Sequence, residues 1–214
     1  MRAATVTLGV LVLVGVLAGC ATTTVRQTRI LTGQVIDESG APVAGNPVLL
    51  VARSLDLSAV RMQYDERGRR EVQTVTDGQG RYRIEFVPAS LGNNFFLFFS
   101  DAAGFDRVKY QRLEPLDVTD RLRRDGTTTV NPVLRFQPSW PEAERQIAFY
   151  GPESERGRIL RRHGVPEKRE TPAGPGDATE AWWYYADGVT YWFSGSALIR
   201  TSTVPSIPGP LPPR

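Results

Sequence analysis

The sequence predicts a mainly β chain: a β-sandwich of short antiparallel strands followed by a small α+β module of one helix and an antiparallel sheet. Three observations carry that prediction. Tyr82, Ile84 and Phe86 alternate with Arg81, Arg83 and Glu85, the period of two that a half-buried antiparallel strand requires. Short apolar or alternating runs recur from Ile30 to Phe136, punctuated by Gly, Pro, Asn and Asp. Only Pro152 to His163 combines helix start and stop signals, and two aromatic runs around Asp187-Gly188 follow it.

Taken in order, Leu31, Gly33 and Val35 share one strand face, and Asp37-Glu38-Ser39-Gly40 supplies a turn. Val48, Leu50 and Ala52 then alternate with Leu49, Val51 and Arg53. Val60, Met62 and Tyr64 alternate with Arg61 and Gln63, and the charged turn Asp65-Glu66-Arg67-Gly68 is expected to reverse the chain into Glu71 to Thr76. Asp77-Gly78-Gln79-Gly80 forms a turn before the strand Arg81 to Phe86. Phe95 to Phe99 has no polar face, so both sides need covering. Val108 and Tyr110 suggest a further strand and Val130 to Phe136 the last one, with Leu113 to Gly126 as a charged surface connection.

In the second half, Pro152 suits a first helical turn, Glu153 and Glu155 face the positive end, and Arg158, Arg161, Arg162 and His163 face the negative end. Gly164 is the expected stop. Ile159 and Leu160 anchor this helix, and a Pro/Gly-rich loop spans 171–178. Ala181 to Tyr185 and Val189 to Phe193 are predicted to close a type I′ hairpin on Ala186-Asp187-Gly188. Ser194-Gly195 turns the chain into Ala197 to Arg200, and 204–214 is proline-rich and polyproline-like.

Several motifs resemble known families. Thr32-Gly33-Gln34-Val35-Ile36-Asp37, Gly40-Ala41-Pro42-Val43-Ala44-Gly45, Thr76-Asp77-Gly78-Gln79-Gly80-Arg81-Tyr82 and Ala103-Gly104-Phe105 are similar to the carboxypeptidase regulatory-like domain. That resemblance implies a seven-stranded transthyretin-like (prealbumin-like) sandwich over 29–137 and a non-catalytic module. The chain departs from the pattern at Asn46 and across residues 53 to 72, a hairpin longer than usual and the place to look for a site on this domain. Ile159, Leu160, Gly164, Pro166, Trp183, Tyr185, Phe193 and Gly195 resemble the SmpA/OmlA (BamE-like) lipoproteins, a family with two helices before its sheet, of which the sequence shows one.

Leu17-Ala18-Gly19-Cys20 closes an apolar run that starts at Ala3 and resembles a bacterial lipobox. The run is shorter than the ~20 residues a membrane-spanning helix needs, so a processed signal fits it better. The resemblance implies cleavage between Gly19 and Cys20, acylation of Cys20, a membrane attachment through that lipid, and an outer-membrane, periplasm-facing location because Ala21 follows. Cys20 is also the single cysteine of the chain, so no disulfide forms. The expected organisation is a signal over 1–19, a tether over 20–28, the sandwich over 29–137, the α+β module over 138–203 and the tail over 204–214.

Of the 26 basic residues one, Arg2, lies in the signal, leaving 25 against 23 acidic ones. A mature charge near +2 does not suggest a nucleic-acid partner. With His163 as the one histidine there is no ordinary zinc pattern, and no catalytic residue or cofactor is assigned. His163 suits a helix-end partner. Asp37, Asp77 and Asp101 could converge on calcium, although turn-making is the commoner task of such residues, so no metal is assigned. The helix arginines could meet lipid phosphates or form a solvated face. The concentration beyond ordinary packing is Trp182 to Tyr185 with Tyr191 to Phe193. Trp182, Tyr184 and Trp192 are the candidate binding surface, with Trp183 pointing to the opposite side; the alternative is that this second face packs on the sandwich. The expected function is a lipid-anchored, non-enzymatic envelope module that contacts a protein partner, with binding of an envelope glycan as the alternative.

Overall fold

The computed structural model describes residues 27–58, 62–171, 179–203 and 205. The signal, Gly19, Cys20, most of the tether, the loop 172–178 and the tail apart from Pro205 lie outside the described residues.

The first half contributes β1 (Arg29–Gln34), β2 (Ile36–Asp37), β3 (Pro47–Ser58), β4 (Gln63–Val75), β5 (Arg81–Phe86), α1 (Pro88–Leu91), β6 (Asn94–Phe98), β7 (Leu116–Asp117), α2 (Thr119–Arg124), β8 (Thr127–Thr129) and β9 (Val133–Leu134). Strands assemble as β5-β1-β8, as β4-β3-β6-β7 and as a β2-β9 pair. The apolar sides of the two larger sheets face each other: Leu31, Tyr82, Ile84 and Phe86 pack with Val48, Leu50, Ala52, Phe95, Leu97 and Phe99 in one core. Ring contacts link the layers, with Phe86 and Phe95 centroids 5.6 Å apart and Tyr82 meeting Phe99 edge-on at 5.7 Å. β5 alternates exposed and buried along its whole length, as its period of two requires.

Four local expectations are corrected. Asp65 to Gly68 is not a turn: β3 and β4 pair continuously from Pro47↔Val75 to Ser58↔Gln63. Ser54 faces Gly68 and Leu55 faces Glu66, so Arg67 is the extra residue of a bulge, which absorbs the charged segment without reversing the chain. Val108 and Tyr110 form no strand; Tyr110 makes a single bridge to Phe136. Leu113 to Gly126 is not merely a surface connection, because α2 puts Leu122 and the preceding Val118 into the core. Val130 to Phe136 does not run as one strand either: within it only β9 is strand, paired in parallel with β2, and β8, which pairs in parallel with β1, ends just before it. Gly33 makes that approach possible, since a Cβ there would lie 1.8 Å from the Val130 carbonyl oxygen. Tyr82 Oη donates to the same carbonyl at 2.8 Å, and burial pushes its phenol pKa up.

The second half holds α3 (Trp140–Tyr150), α4 (Glu155–His163), β10 (Lys168–Glu170), β11 (Glu180–Tyr184), β12 (Val189–Ser194) and β13 (Ala197–Thr203). The last four form one antiparallel sheet in sequence order. α3 is a helix the sequence reading missed, although Ala143, Ile147 and Tyr150 lie one, two and three turns along one face. α4 starts later than Pro152 because Ser154 takes the cap, its Oγ accepting from Gly157 N at 3.0 Å. Gly157 is where the helices meet: a Cβ there would lie 2.0 Å from the Gly151 oxygen. Gly164 ends α4 at φ +81°, as a left-handed stop should.

Candidate functional site

The C-terminal sheet has two unlike faces, set by its register. Tyr184 lies opposite Val189, Trp182 opposite Tyr191 and Glu180 opposite Phe193, so these six share the face that α3 and α4 cover. Trp182, Tyr184 and Phe193 are buried there with Ile159 and Leu160, and the half-buried Ile147 and Tyr150 pack against them. Trp182 has no exposed surface. Its indole Nε1 donates to Glu180 Oε1 at 2.7 Å, while Glu180 Oε2 accepts from the Arg156 guanidinium at 2.8 Å. That guanidinium lies 4.2 Å from the Phe193 ring centroid, and Arg169 lies 4.6 Å from that of Trp182. Tyr184 Oη donates to the Gly164 carbonyl at 3.0 Å, and burial holds its phenol well above the ordinary tyrosine range.

This placement corrects the sequence-based surface. Trp182 and Tyr184 are core residues, and Trp192 is not on their face. Adjacent residues of a strand point to opposite sides, so Trp192, one removed from Tyr191 and Phe193, joins Trp183 and Tyr185. The sequence showed that two faces existed but not which one the helices cover. That depended on α3, whose Tyr150 ring stands 5.7 Å from Trp182.

On the other face, Trp183 stacks with Tyr185 at 5.8 Å and 27° and meets Trp192 at 5.9 Å and 66°. All three are half-buried, and none belongs to the core under the helices. Ala181 and Thr190, both buried, lie among them. Trp192 Nε1 donates to Ser202 Oγ at 3.2 Å, and Arg200 stands over its ring at 4.2 Å. Trp183 Nε1 is buried and has no acceptor. The core of the sandwich is a separate cluster that includes none of these rings, so this face is not an interdomain core.

Where the halves meet, the contact is polar. His163, from the last turn of α4, places Nδ1 2.6 Å from Asp187 Oδ2 and Nε2 2.9 Å from Tyr191 Oη. Burial raises the Tyr191 phenol pKa. Arg107 of the first half reaches Asp187 Oδ1 at 3.4 Å. Arg107, Gln137, Arg162 and Asp187 are among the residues lining an open cleft of about 390 Å³ at this junction. Asp187 occupies a four-residue connection, Tyr185 to Gly188, in place of the expected type I′ turn. Gly188 carries a φ of +64° and donates its N–H back to Tyr185 O at 3.2 Å.

The remaining candidates resolve into structural roles. Asp37 Oδ1 accepts from Ser39 N and Ala41 N, each at 3.0 Å; burial pushes its pKa up, but these bonds and that from the Ser39 hydroxyl outweigh it and hold the carboxyl low. Asp77 likewise accepts from Gln79 N and Arg81 N, and Asp101 pairs with Arg112. Among the described residues no three metal-ligating side chains converge. Arg158 and Arg161 pair with Glu155 and Glu153. On the long β3–β4 hairpin, Leu57, Met62 and Tyr64 are exposed toward the tip.

No protein-family model matches this chain, and no curated protein matches it. Solved structures are similar to about half of it. BcpA, the major pilin subunit of Bacillus cereus, is 17% identical over 52% of this chain and 31% of its own, with a TM-score of 0.33. A streptococcal ancillary pilin is 18% identical over 51% and 32%, with a TM-score of 0.30. Catechol 1,2-dioxygenase from Pseudomonas arvilla C-1 is 16% identical over 52% and 53%, with a TM-score of 0.30. The match spans about a third of the length of the two pilins.

Proposed function

We propose that this protein is a lipid-anchored component of the bacterial cell envelope, attached through Cys20, that works as a non-catalytic interaction module, with the outer sheet face of Trp183, Tyr185 and Trp192 as its contact surface. The observation that carries this reading is that face: three large rings outside both cores, one with a buried N–H lacking an acceptor. Aromatic residues of this kind dominate protein contact energies because they bury much area and still offer a donor. The lipobox-like Leu17-Ala18-Gly19-Cys20 supplies the address. The order of two helices before an antiparallel sheet supports the SmpA/OmlA-like resemblance, which the sequence alone carried with one helix.

A protein partner fits this face better than a glycan. Sugar rings stack on open aromatic planes, whereas Tyr185 stacks on Trp183 and Arg200 takes a face of Trp192. The test has two arms. Cys20→Ser should abolish palmitate labelling and move the protein out of the membrane fraction; continued labelling would refute the anchor. Trp183→Ala should remove cross-links formed in intact envelopes while the chain stays folded and melts cooperatively; unchanged cross-links would refute the contact surface.

A further inference from the structure

We propose that the tip of the β3–β4 hairpin, through Leu57, Met62 and Tyr64, inserts into the interface of the lipid bilayer that holds the chain. The inference rests on the reading of Cys20 as the lipid-bearing residue and adds a second, non-covalent point of membrane contact.

The hairpin outruns its sheet. β3 pairs with β6 from Leu49↔Phe98 to Arg53↔Asn94, whereas its pairing with β4 continues to Ser58↔Gln63. Asn93 closes the sheet at that level. Its N–H donates to the Arg53 carbonyl at 2.9 Å, and its side-chain amide exchanges hydrogen bonds of 2.9 and 2.8 Å with the Leu55 backbone. Beyond Leu55 the two strands stand clear of the sheet as an arm. From Arg53 to Ser58 the strand advances about 17 Å.

The arm has unlike sides. Leu57 lies directly opposite Tyr64, and Asp56 opposite Asp65. Neighbouring residues point to opposite sides of a ribbon, so one side is apolar and the other carries two carboxylates. Leu57 is 57% exposed, Tyr64 70% and Met62 80%. Single exposed apolar residues are ordinary, but three together on a projecting tip mark a contact. A tyrosine beside aliphatic side chains suits the level of lipid headgroups. An arm entering obliquely buries that side and leaves the carboxylates in water.

The direction of the arm selects the bilayer as its partner. Arg29, which begins β1, lies opposite Phe86, the last residue of β5. The Phe86 ring is 5.6 Å from that of Phe95, next to Asn94, where the arm departs. The chain leading back to Cys20 therefore leaves the sandwich at the end from which the arm projects. Between Cys20 and Arg29 that chain spans at most ~30 Å, more than the length of the arm, so lipid and tip can reach one bilayer together. Arg123 of α2 donates to the Asn93 carbonyl at 2.8 Å, which sets this helix at the same end with Arg121 and Arg124 exposed, suited to lipid phosphates. The C-terminal half joins the opposite end: Tyr110, which bridges Phe136, shares a cleft with Asn46, the residue before β3. Insertion of the tip would hold the aromatic sheet away from the membrane.

The test places a nitrobenzoxadiazole probe on Met62→Cys and reads its quenching by phospholipids brominated in the acyl chain. Two forms are compared on vesicles of phosphatidylethanolamine and phosphatidylglycerol. One is the protein as isolated from membranes, in which an acylated Cys20 leaves position 62 as the one free thiol. The other is the chain from Ala21, held on a nickel-chelating lipid by an N-terminal histidine tag. In both the probe should shift to the blue and be quenched, while a probe on Ala44→Cys, in the exposed loop before β3, should stay in water. Leu57→Thr with Tyr64→Thr keeps strand-forming residues but removes the apolar side, and should lower the ratio of inserted to free tips about tenfold or more. Leu57→Phe with Tyr64→Trp should preserve insertion. A probe at position 62 that stays unquenched on the tagged chain, or quenching that the threonine pair leaves unchanged, overturns the proposal. So does a blue shift that appears without vesicles and grows with protein concentration, which would seat the tip on a second copy. Insertion of the tagged chain, with two free thiols in the isolated Met62→Cys protein, refutes the Cys20 anchor and leaves the tip as a membrane contact. No insertion with Cys20 acylated refutes the tip and leaves the anchor.

Discussion

Truncating the three tryptophans of the C-terminal sheet one at a time is the sharpest test of its two-faced architecture. Trp182 has no exposed surface, gives its N–H to Glu180, and lies near the guanidinium groups of Arg156 and Arg169. Burial of a large aromatic lost to alanine costs about 3–5 kcal/mol. Trp182→Ala belongs at the upper end, because Arg156, only 8% exposed, would line the new cavity with fewer partners. The ~65 residues of 138–203 hold roughly 3–10 kcal/mol in total at the usual stability per residue, so the module should be largely unfolded or lose ~15 °C or more of melting temperature. Trp183→Ala and Trp192→Ala remove half-buried rings and should cost no more than ~1.5 kcal/mol each, Trp183 also relieving its unpaired donor. Urea titrations followed by far-ultraviolet circular dichroism and fluorescence read all three. A Trp182→Ala chain within ~0.5 kcal/mol of the parent, or a Trp183→Ala chain less stable than the Trp182→Ala chain, would refute the assignment of the faces.

Other consequences follow from the same geometry. Glu180→Ala should destabilise the module by about 3–5 kcal/mol, since it strands the buried Arg156 charge, whereas replacing Arg156 and Glu180 together by Met and Leu should cost much less; a double-mutant cycle measures the difference. Gly157→Ala should cost more than the ~1 kcal/mol its helix propensity would return, because its Cβ meets the Gly151 oxygen at 2.0 Å; a thermal shift upward would contradict the helix crossing. Burial raises the folded-state pKa of Tyr82 and Tyr184 above the ordinary value near 10. Above that pH the unfolded chain releases protons that the folded chain keeps, so their stabilisation, complete below about pH 10, declines as pH rises, by up to ~1.4 kcal/mol per pH unit per group. Absorbance at 295 nm should therefore show these tyrosines ionising together with unfolding; ionisation of all seven near pH 10 with the fold intact would count against their burial.

What the sequence disclosed depended on whether the deciding interaction was local. The strand Arg81–Phe86 was legible because six residues alternate without a break, and its burial follows them one by one. The Gly164 stop was legible because a left-handed backbone is a one-residue requirement. The β3–β4 hairpin was misplaced because Asp65-Glu66-Arg67-Gly68 has turn chemistry, while a bulge at Arg67 lets the strand continue; only cross-strand register separates those outcomes. α3 carried a signal that went unused: Ser139 before Trp140-Pro141, Glu142 in the first turn, and Ala143, Ile147 and Tyr150 on one face. Missing that helix moved the whole site. With one helix the sheet offered no basis for choosing its buried side, so Trp182 and Tyr184 were assigned to a surface they do not occupy.

The polar junction between the two cores bears on how such a module would work. Each core closes on its own residues, and Arg107, Asp187 and His163 meet at the boundary through an exposed ion pair and hydrogen bonds. Exposed pairs of this kind contribute about 0–1 kcal/mol, much less than either core. Arg107→Ala should therefore leave both melting transitions nearly unchanged. It should loosen the orientation of the aromatic sheet relative to the sandwich, because Asp187 sits in the turn directly beyond Tyr185 and Trp183. A label pair, one on the sandwich at Arg83 and one on the sheet at Arg200, would report a broader distance distribution in Arg107→Ala. An unaltered distribution would mean that other contacts set the orientation and that the ion pair is incidental. The contact surface would then be held by the fold of the C-terminal half alone, and its presentation would be independent of the sandwich.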